Sequence, residues 1–573
     1  MNVSEVNKLY EKWLSFPFSD SDLSEELESI KGKDDEIYER FYKELEFGTG
    51  GLRGIIGAGT NRMNVHTVKK ATQGFSEYLK EAEKNPSVAI SYDSRIKSEL
   101  FARSTAEVFA ANGIKVYIYK TLMPTPMLSF AVRELSCSAG VMVTASHNPA
   151  KYNGYKAYGP DGCQLTLEAA DRVLRKISSV DALDGFKTIS FEDGIKDGII
   201  EFIGEEVIEK YYGCVMAQSI EKTAIKDAGV KAVYSALNGT GNVPVREVLS
   251  RMGAKDLEIV KCQEEPDGNF PTCPYPNPET EEALKEGVKL LKECEGDILI
   301  ATDPDADRVG TALRAGGKIT LLSGNEVGVL LLWYILSRRS EKGTLPKDPV
   351  AVKTIVTTPL AALVAEHFGA KMIDVLTGFK FIGEQIKLLE DKGEEDRYLF
   401  GFEESYGYLS GTYVRDKDAV VASMLVLEMV SYYKMQGKTL LDVLSEIYER
   451  FGVFKADLKS FAFEGASGMK TMKDKMEFLR NNPPKTLGGK DVLALSDYLL
   501  GQTVKKNGET EKITLPKSDV LSYTLEGNNS VIIRPSGTEP KIKLYFASSG
   551  KNSSEADEIL VKLAADFTKH LGL

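Results

Sequence analysis

The sequence is poor in cysteine and histidine. Its 573 residues include only six cysteines and four histidines. The cysteines are scattered without paired CxxC spacing, and no histidine lies near the two that flank a proline-rich loop, Cys262 and Cys273. These absences argue against a disulfide-bonded scaffold and against a structural zinc site. We therefore expect a reduced, cytoplasmic protein.

A basic surplus and a long apolar segment are also missing. Acidic residues outnumber basic ones by 84 to 72, the net charge is −12, and no basic stripe is present, which argues against a nucleic-acid partner. The N-terminus has neither the basic region nor the apolar stretch of a signal peptide. The longest apolar run, 327–336, is too short to span a bilayer and predicts a buried helix. We expect no membrane partner.

What remains is the pattern of a large soluble multidomain protein. Hydrophobic residues make up 42% of the chain and charged residues 27%, as in ordinary globular proteins. The first 45 residues or so have helical spacing. Strand-like runs such as "SVAISYD" (87–93) then alternate with amphipathic helical runs, which indicates α/β domains with mostly parallel strands. From about residue 455, short strands and turns before a last helix predict an α+β C-terminal domain.

Three aspartates follow one of the predicted strands. Asp303, Asp305 and Asp307 come directly after "GDILIAT" (296–302), where ligands collect in open α/β sheets. On an extended chain these side chains point to one side, and their mutual repulsion favours a hard divalent cation. An EF-hand is excluded because Arg308 and Arg314 stand where that loop needs Gly and Glu. Taken alone, the loop is equally compatible with a solvated acidic turn.

A second polar loop lies near the C-terminus. In "RPSGTEPKIK" (534–543), a guanidinium, two hydroxyls and exposed backbone N–H groups form a candidate cradle for a phosphate or carboxylate. The residues concerned are Arg534, Ser536, Gly537 and Thr538. A surface turn that happens to hold an arginine is the alternative.

Two weaker motifs lie between these loops. In "GFEESYGYLSG" (401–411), Glu403 and Ser405 stand two residues apart, so a carboxylate and a hydroxyl can face one cleft and bind sugar diols. The alternative is an acidic helix start. In "LTGFKFIGEQI" (376–386), Lys380 lies between glycines and aromatic residues, which by itself is a weak signal.

The stretch "VTASHNPAKYNGYKAYG" (143–159) places Ser146 beside His147, with Lys156 ten residues further on. A hydrolase nucleophile would sit in a GxSxG elbow, which is missing here. Neighbouring side chains on an extended chain point in opposite directions, so we do not expect His147 to act as the base for Ser146. A serine that carries a phosphoryl group near the three aspartates fits better, because a phosphate oxygen would complete the metal site.

Four of these segments together resemble the signature loops of the α-D-phosphohexomutases. They are "TASHNPAKYNGYK", "TDPDADRVG", "GFEESYGYL" and "RPSGTEPKIKLY", and they occur in the family's order over nearly all of the chain after about residue 45. "FGTGGLRG" (47–54), which contains Arg53, and "TGFKFIG" resemble the branch that includes bacterial α-phosphoglucomutases and animal phosphopentomutase.

The resemblance implies an α/β protein of four domains around a central cleft, with mixed sheets in three of them and a C-terminal α+β domain. It predicts boundaries at 1–200, which includes the helical extension and the serine loop, at 201–318 with the metal loop, at 319–452 with the sugar-binding loop, and at 453–573 with the phosphate-binding loop.

Roles for individual residues follow from the resemblance. Ser146 is the implied phosphoserine, and Asp303, Asp305 and Asp307 are the implied Mg²⁺ ligands, completed by Ser146 through its phosphate. Lys156 and His147 are implied in proton transfer, with Arg308 beside the metal loop. The implied substrate-binding residues are Arg53, Lys380, Glu403, Ser405, Arg534, Ser536, Gly537 and Thr538.

The implied activity is interconversion of glucose 1-phosphate and glucose 6-phosphate, with glucose 1,6-bisphosphate as intermediate and activator. Phosphopentomutase and phosphomannomutase activities are close alternatives on the same scaffold. A phosphatase and a non-catalytic sugar-phosphate-binding protein are further alternatives. Small sugar phosphates are the expected partners, and a monomer or weak homodimer is the expected assembly.

Overall fold

The computed structural model describes residues 1–48, 50–463, 468–536 and 541–573. The chain divides into two compact units. The first consists of residues 1–327 and 379–437, and the second of residues 328–378 and 438–573. All predicted site residues before position 500 therefore belong to the first unit.

The N-terminal segment is helical, as its spacing predicts. It contains α1 (Val3–Leu14), α2 (Ser21–Ser29) and α3 (Asp34–Phe41). Asn2 and Glu5 form a capping box that starts α1 by satisfying free backbone N–H groups. Trp13, Leu27 and Phe41 are buried and form a small core of this segment.

The first sheet follows this segment and has the strand order β1-β5-β4-β2-β3-β6. β2, β3, β4 and β6 run parallel, whereas β5 pairs antiparallel with β1 and β4. The core lies between the sheet and its helices around residues such as Val88, Ile90 and Val141. The elements are β1 (Gly51–Ile55), α4 (Val65–Ala82), β2 (Ser87–Tyr92), α5 (Ser98–Ala111), β3 (Lys115–Ile118), α6 (Thr125–Glu134), β4 (Ala139–Val143), β5 (Tyr152–Tyr158), α7 (Leu167–Ile177), α8 (Phe191–Lys196) and β6 (Ile200–Phe202).

The second sheet has the order β11-β10-β9-β7-β8. β7 pairs in parallel with β8 and β9, and the hairpins of β9 with β10 and of β10 with β11 are antiparallel. The elements are α9 (Glu205–Ala217), α10 (Ala224–Asp227), β7 (Lys231–Ser235), α11 (Asn242–Arg251), β8 (Asp256–Ile259), α12 (Glu281–Glu293), β9 (Ile298–Thr302), β10 (Val309–Ala315) and β11 (Lys318–Leu322).

The third region again mixes both strand directions. In the second unit β12 pairs in parallel with β13, and in the first unit β14 pairs antiparallel with β15. The predicted buried helix at 327–336 is confirmed as the middle of α13. The elements are α13 (Gly324–Glu341), β12 (Val350–Thr354), α14 (Leu360–His367), β13 (Lys371–Val375), α15 (Lys380–Glu390), β14 (Tyr398–Glu403), β15 (Gly407–Ser410), α16 (Ala419–Met435) and α17 (Leu440–Phe451).

The C-terminal region is an antiparallel sheet with helices, which confirms the predicted α+β type. Its strands follow the order β16-β23-β22-β21-β18-β19-β20, and β17 pairs with β18. The predicted hairpin is formed by β22 and β23, and its tip at 537–540 lies outside the described residues. The elements are β16 (Val453–Ala462), α18 (Gly468–Asn481), β17 (Thr486–Leu487), β18 (Lys490–Asp497), β19 (Gln502–Lys505), β20 (Thr510–Lys512), β21 (Leu521–Leu525), β22 (Asn529–Pro535), β23 (Lys541–Gly550) and α19 (Ser553–His570).

The predicted fold class is thus confirmed: three α/β regions with mixed sheets precede an α+β region. The residue boundaries of the four domains stay predictions. Within the part of the chain that the structure describes, no helix combines the length and the apolar character needed to cross a membrane.

Candidate active site

The three aspartates lie in the tight loop that joins β9 to β10. Strand pairing brings Thr302 opposite Val309, so residues 303–308 must turn back sharply. Asp303 stabilises this turn because its Oδ1 accepts hydrogen bonds from the backbone N–H groups of Asp307 and Arg308, both at 3.0 Å. The residues therefore converge through a folded turn and not through the extended chain that the spacing suggested.

The carboxylates of this loop form a buried group suited to a cation. One oxygen of each aspartate lies within 4.8 Å of the others. Oδ1 of Asp305 and Oδ1 of Asp307 are buried and accept no hydrogen bond from the described residues. Burial, together with the charges of Asp305 and Asp307, raises the pKa of Asp303 well above its usual value. Buried, unpaired carboxylate oxygens of this kind fit a hard divalent cation.

Two lysines contact the same carboxylates. Lys156 on β5 places Nζ 2.7 Å from Asp305 Oδ2, and Lys417 places Nζ 3.0 Å from Asp307 Oδ2. Burial opposes the charged form of Lys156, but Asp305 and Asp307 outweigh it and raise its pKa. Lys156 is a predicted site residue, whereas Lys417 was missed because no pattern in the sequence links it to the aspartates.

Ser146 directly contacts residues 303–308, the turn between β9 and β10 that we call the acidic loop. Its Oγ donates a hydrogen bond to Asp303 Oδ2 at 2.9 Å, so residues 157 positions apart meet. Ser146 has a φ of 52°, in the left-handed region that non-glycine residues rarely adopt. Strain of this kind persists only where the surroundings enforce it, and it is frequent at functional sites. The predicted proximity of the serine and the three aspartates is confirmed.

The geometric argument about His147 is wrong. His147 Nδ1 lies 3.2 Å from Ser146 Oγ, within hydrogen-bonding distance. The argument assumed an extended chain, but the left-handed conformation of Ser146 turns both side chains to the same side. Burial, aided by the nearby charges of Arg308 and Arg53, lowers the pKa of His147 to about 2. The imidazole is therefore neutral at physiological pH.

Arg95 organises the backbone of residues 144–153, the segment after β4 that contains Ser146 and that we call the serine loop. Its Nη2 donates to the carbonyls of Ser146 and Asn148, and its Nη1 donates to the carbonyls of Pro149 and Tyr152, both at 3.0 Å. One guanidinium thus satisfies four carbonyl groups between Ser146 and Tyr152, in a segment that has no regular structure until β5 begins at Tyr152. The five N–H donors of arginine in a fixed plane allow this, which a lysine ammonium cannot reproduce.

The guanidinium of Arg95 is itself held from several directions. Asp93 lies 3.3 Å from its Nε, and both side chains are completely buried. Asp93 also accepts a 2.6 Å hydrogen bond from Thr144 Oγ1, which in turn accepts one from the backbone N–H of Ser146. The ring of Phe270 stacks 5.1 Å from the guanidinium. These contacts extend the support of the serine loop to residues that follow β2 and β8.

We expect Arg95→Lys to reduce turnover strongly. A single ammonium can reach at most one or two of the four carbonyls, so the loop loses its fixed shape and Ser146 its alignment with Asp303. Misplacement of a reacting group by about 1 Å can lower a rate about 100-fold. Steady-state kinetics measure the effect, with Arg103→Lys on α5 as a matched control at an exposed ion pair. Equal activity in both variants would contradict the assigned role.

A glycine allows a neighbouring loop to support the acidic loop. The loop after β7 contacts Pro304, whose carbonyl accepts hydrogen bonds from Thr240 N at 2.9 Å and from Thr240 Oγ1 at 3.0 Å. A Cβ atom at Gly239 would lie 2.5 Å from Pro304 Cα and 2.7 Å from Pro304 O. Backbone atoms cannot yield as a flexible side chain can, so only glycine permits this approach.

We therefore expect Gly239→Ala to displace the acidic loop. The clash lowers the free energy of unfolding by about 1–3 kcal/mol and weakens cation binding. Thermal unfolding with and without Mg²⁺ measures both effects. Gly213→Ala on α9 is a matched control, because its Cβ would meet no atom within 4 Å, and helix propensity alone then predicts slight stabilisation. A Gly239 variant that responds to Mg²⁺ as the unmodified protein does would refute this expectation.

The loop with Glu403 and Ser405 adjoins the acidic loop within the first unit. The backbone N–H of Val309 donates to the carbonyl of Tyr406 at 3.0 Å, and Arg308 forms an isolated β-bridge with Gly407. Glu403 is buried at the end of β14, and Ser405 lies in the following turn. Both residues therefore lie in a loop that adjoins the acidic loop, and their binding of sugar hydroxyls stays a prediction.

The remaining predicted residues are distributed as follows. Arg308 forms an ion pair with Glu279. Arg53 is exposed on β1, where it faces Gly154 of β5 in the strand register. Lys380 begins α15, and its carbonyl accepts a 3.4 Å hydrogen bond from Cys163 Sγ. Burial lowers the pKa of Lys380. All three residues belong to the first unit.

The predicted phosphate clamp belongs to the second unit. Arg534 lies on β22, opposite Lys543 of β23, and Ser536 directly follows that strand. Gly537 and Thr538, the other two residues of the predicted clamp, lie outside the described residues. The role of this loop stays a prediction.

Comparisons with known proteins agree with this arrangement. Family models described as phosphoglucomutase/phosphomannomutase domains match four successive regions: α/β/α domain I at 44–184, domain II at 209–316, domain III at 323–451 and the C-terminal domain at 504–565. A phosphoglucomutase from Staphylococcus saprophyticus is 37% identical over 529 residues, which cover 92% of this chain and 94% of that protein. The chain belongs to the phosphoglucomutase/phosphomannomutase family.

Further members of the phosphoglucomutase/phosphomannomutase family show the same relation. A phosphoglucomutase from Staphylococcus haemolyticus is 35% identical and covers 92% of this chain and 97% of its own. The crystal structure of a putative phosphomannomutase from Thermus thermophilus has a TM-score of 0.69 at 24% identity, covering 93% of this chain and all of that one. The crystal structure of the open form of parafusin from Paramecium has a TM-score of 0.68 at 16% identity. It covers 93% of this chain and 95% of that one. Both structures support the fold.

Membership in the family confirms the resemblance of the four signature segments. It does not account for every residue of the site. Arg95, Thr125 and Lys417 were not predicted, although Thr125 Oγ1 donates to Asp305 Oδ2 at 2.7 Å. One signal was available for Arg95: it follows β2 by three residues, at the carboxyl end of a parallel strand, where ligand-binding loops collect.

Proposed function

We propose that this protein is a phosphoglucomutase that interconverts glucose 1-phosphate and glucose 6-phosphate. The observation that carries the proposal is the 2.9 Å contact between Ser146 Oγ and Asp303, in a loop of three convergent buried carboxylates. A serine beside a candidate divalent-cation site is suited to phosphoryl transfer, and the named activity of the relatives supports glucose phosphates as substrates.

The proposed cycle starts with a phosphoryl group on Ser146. The Oγ–P bond breaks while a hydroxyl of glucose 1-phosphate forms a new O–P bond. The hydroxyl proton passes to a base of the site, and Ser146 Oγ takes up a proton from an acid of the site as it leaves. The product is glucose 1,6-bisphosphate, which turns over so that its other phosphate returns to Ser146. Lys156 and His147 are the candidates for proton transfer, because Lys156 lies at Asp305 and His147 contacts Ser146.

Asp303, Asp305 and Asp307 would hold the cation, for which we propose Mg²⁺. When bound, the ion neutralises negative charge on the transferring phosphoryl group. Arg308 adds positive charge beside the loop. Its ion pair with Glu279 and its bridge to Gly407 fix its position relative to the sugar-binding loop.

The proposed sugar contacts come from several segments. Glu403 and Ser405 bind hydroxyl groups of the sugar, and Arg53 and Lys380 contribute further charge to the substrate site. A separate clamp holds the phosphate that does not react, and it consists of Arg534, Ser536, Gly537 and Thr538. This division suits a substrate that must bind in two orientations.

We further propose a cytoplasmic enzyme that is a monomer or weak homodimer and takes glucose 1,6-bisphosphate as activator. All six cysteines are free, which agrees with a reducing compartment. Light scattering combined with size-exclusion chromatography determines the assembly in solution.

A substrate panel tests the proposed function. Glucose 1-phosphate, mannose 1-phosphate and ribose 1-phosphate are each assayed with Mg²⁺ and with a catalytic amount of the matching bisphosphate. We expect the highest kcat/KM for glucose 1-phosphate and no stoichiometric release of inorganic phosphate. A preference for mannose or ribose would make the enzyme a phosphomannomutase or phosphopentomutase. Phosphate release without isomerisation would indicate a phosphatase, and no reaction at all would favour a binding protein.

A further inference from the structure

Residues 1–43 precede the first region that matches the family models. They have a core of their own that includes Trp13, Leu27 and Phe41. Two residues of the following region, Ala58 and Leu183, take part in the same core. The N-terminal segment is therefore packed against the first α/β region, although the part of the chain that matches the family's domain I begins at residue 44.

The N-terminal segment holds the chain that follows β1. Glu26 accepts a 2.6 Å hydrogen bond from the backbone N–H of Ala58 and another from Arg40 Nη1 at 2.6 Å. The carbonyl of Arg40 accepts one from Asn61 N at 3.0 Å. Next to this stretch, Ile56 N donates to the carbonyl of Lys151 at 2.8 Å, inside the loop that Ser146 begins.

A second contact of the N-terminal segment is an ion-pair clamp at Lys97. Its Nζ lies 2.8 Å from Asp20 Oδ2 and 2.9 Å from Asp22 Oδ2. Lys97 has a φ of 62°, the left-handed conformation that a non-glycine residue adopts only under constraint. The side chains of Lys97 and Asp20 are each less than one-fifth exposed, so solvent screens this pair only in part. The clamp thus holds a strained turn.

The turn at Lys97 lies between two contacts to the serine loop. Arg95, two residues earlier, binds four carbonyls of that loop. On the other side, Asn153 Nδ2 donates to the carbonyl of Ile96 and to Ser98 Oγ, both at 3.0 Å. A shift of Lys97 therefore moves the groups that shape the loop from Ser146 to Asn153.

We propose that the N-terminal segment positions the serine loop through the Asp20–Lys97 ion pair. Asp20 and Lys97 are positioning residues, because neither contacts Ser146 or the carboxylates and both act through residues 95–98. The expected effect on turnover rests on the proposed function, whereas the effect on loop order does not. Residues outside the family's domain I thus contribute to the order of its catalytic loop.

The kinetic test compares three lysine variants. Lys97→Gln removes the charge at the turn, and we expect kcat to fall about tenfold with KM changed less than twofold, since alignment and not binding is lost. Lys97→Arg keeps the ion pair and is expected to restore most of kcat. Lys12→Gln removes another ion pair of the same segment, Lys12–Asp181 at 2.9 Å, which is about half exposed and joins the segment to the first region away from residues 95–98. It should leave kcat unchanged.

Hydrogen exchange of residues 144–153 provides a readout that needs no substrate. We expect faster exchange there in Lys97→Gln and in Asp20→Asn, in which asparagine still caps α2, and unchanged exchange in Lys12→Gln. Loop exchange that stays at the level of the unmodified protein in Lys97→Gln would overturn the proposal. An equal loss of kcat in Lys12→Gln would also overturn it. If loop exchange were faster in Lys97→Gln but the unmodified protein had no mutase activity, only the proposed function would be refuted.

Discussion

Ser146→Ala is expected to abolish mutase activity. The variant lacks the oxygen that carries the phosphoryl group, and no other hydroxyl is hydrogen-bonded to Asp303 among the described residues. Loss of a covalent nucleophile lowers turnover by at least about a thousandfold. The fold should persist, because the change removes one hydroxyl from a loop that Arg95 holds through backbone carbonyls. Coupled assays of glucose 6-phosphate formation measure the loss.

Intact mass separates loss of the carrier from general damage. The unmodified protein treated with glucose 1,6-bisphosphate should gain one phosphate group, and Ser146→Ala should gain none. Ser94→Ala is a matched control, because the Ser94 hydroxyl is buried and makes no hydrogen bond within the described part of the chain. That variant should retain both activity and phosphorylation. Turnover by Ser146→Ala at even one-tenth of the normal rate would rule out Ser146 as the carrier.

Asp303→Asn should lose activity while the ion-free protein becomes more stable. Three carboxylates are buried within 4.8 Å of one another, and their repulsion is relieved when one becomes neutral. Asparagine keeps a carbonyl oxygen that can accept the hydrogen bonds of Asp307 N and Arg308 N, so the turn is preserved. In the presence of a chelator, we expect Asp303→Asn to unfold at a higher temperature than the unmodified protein. We expect its activity to be reduced by at least about a thousandfold.

Asp307→Asn is the contrasting variant. Asp307 forms an ion pair with Lys417 at 3.0 Å, so its neutralisation leaves a buried ammonium without that partner. We expect the same loss of activity but no gain in stability. Both variants should lose the stabilisation that Mg²⁺ confers on the unmodified protein. If Asp303→Asn and Asp307→Asn shifted the unfolding temperature equally, the charge balance described for the site would be wrong.

The helices, most strands and the chemical types of the loops could be predicted from local sequence. Residues 87–93 and 298–302 are apolar runs of strand length, and the N-terminal segment has helical periodicity. These features depend on neighbours within a few positions of the chain. The four signature segments and their order also sufficed to identify the family.

Side-chain geometry inside the loops could not be predicted in the same way. The extended-chain rule placed His147 away from Ser146, but the left-handed backbone of Ser146 brings them within 3.2 Å. The same rule predicted correctly that the three aspartates lie together, but for the wrong reason. They converge because the chain turns, and Asp303 closes that turn. Backbone conformation in an irregular loop depends on its contacts, which the local sequence does not contain.

By itself, the sequence determined the fold class, the family and the candidate residues for the proposed chemistry. The tertiary structure alone decided which residues meet: Ser146 with Asp303, Lys417 with Asp307, and Arg95 with four carbonyls. The physical reason is the distance along the sequence between the residues that determine each feature. Helix and strand formation depend on nearby residues, whereas burial of charge and the strained conformation of Ser146 depend on partners tens to hundreds of residues away, which come together only when the chain has folded.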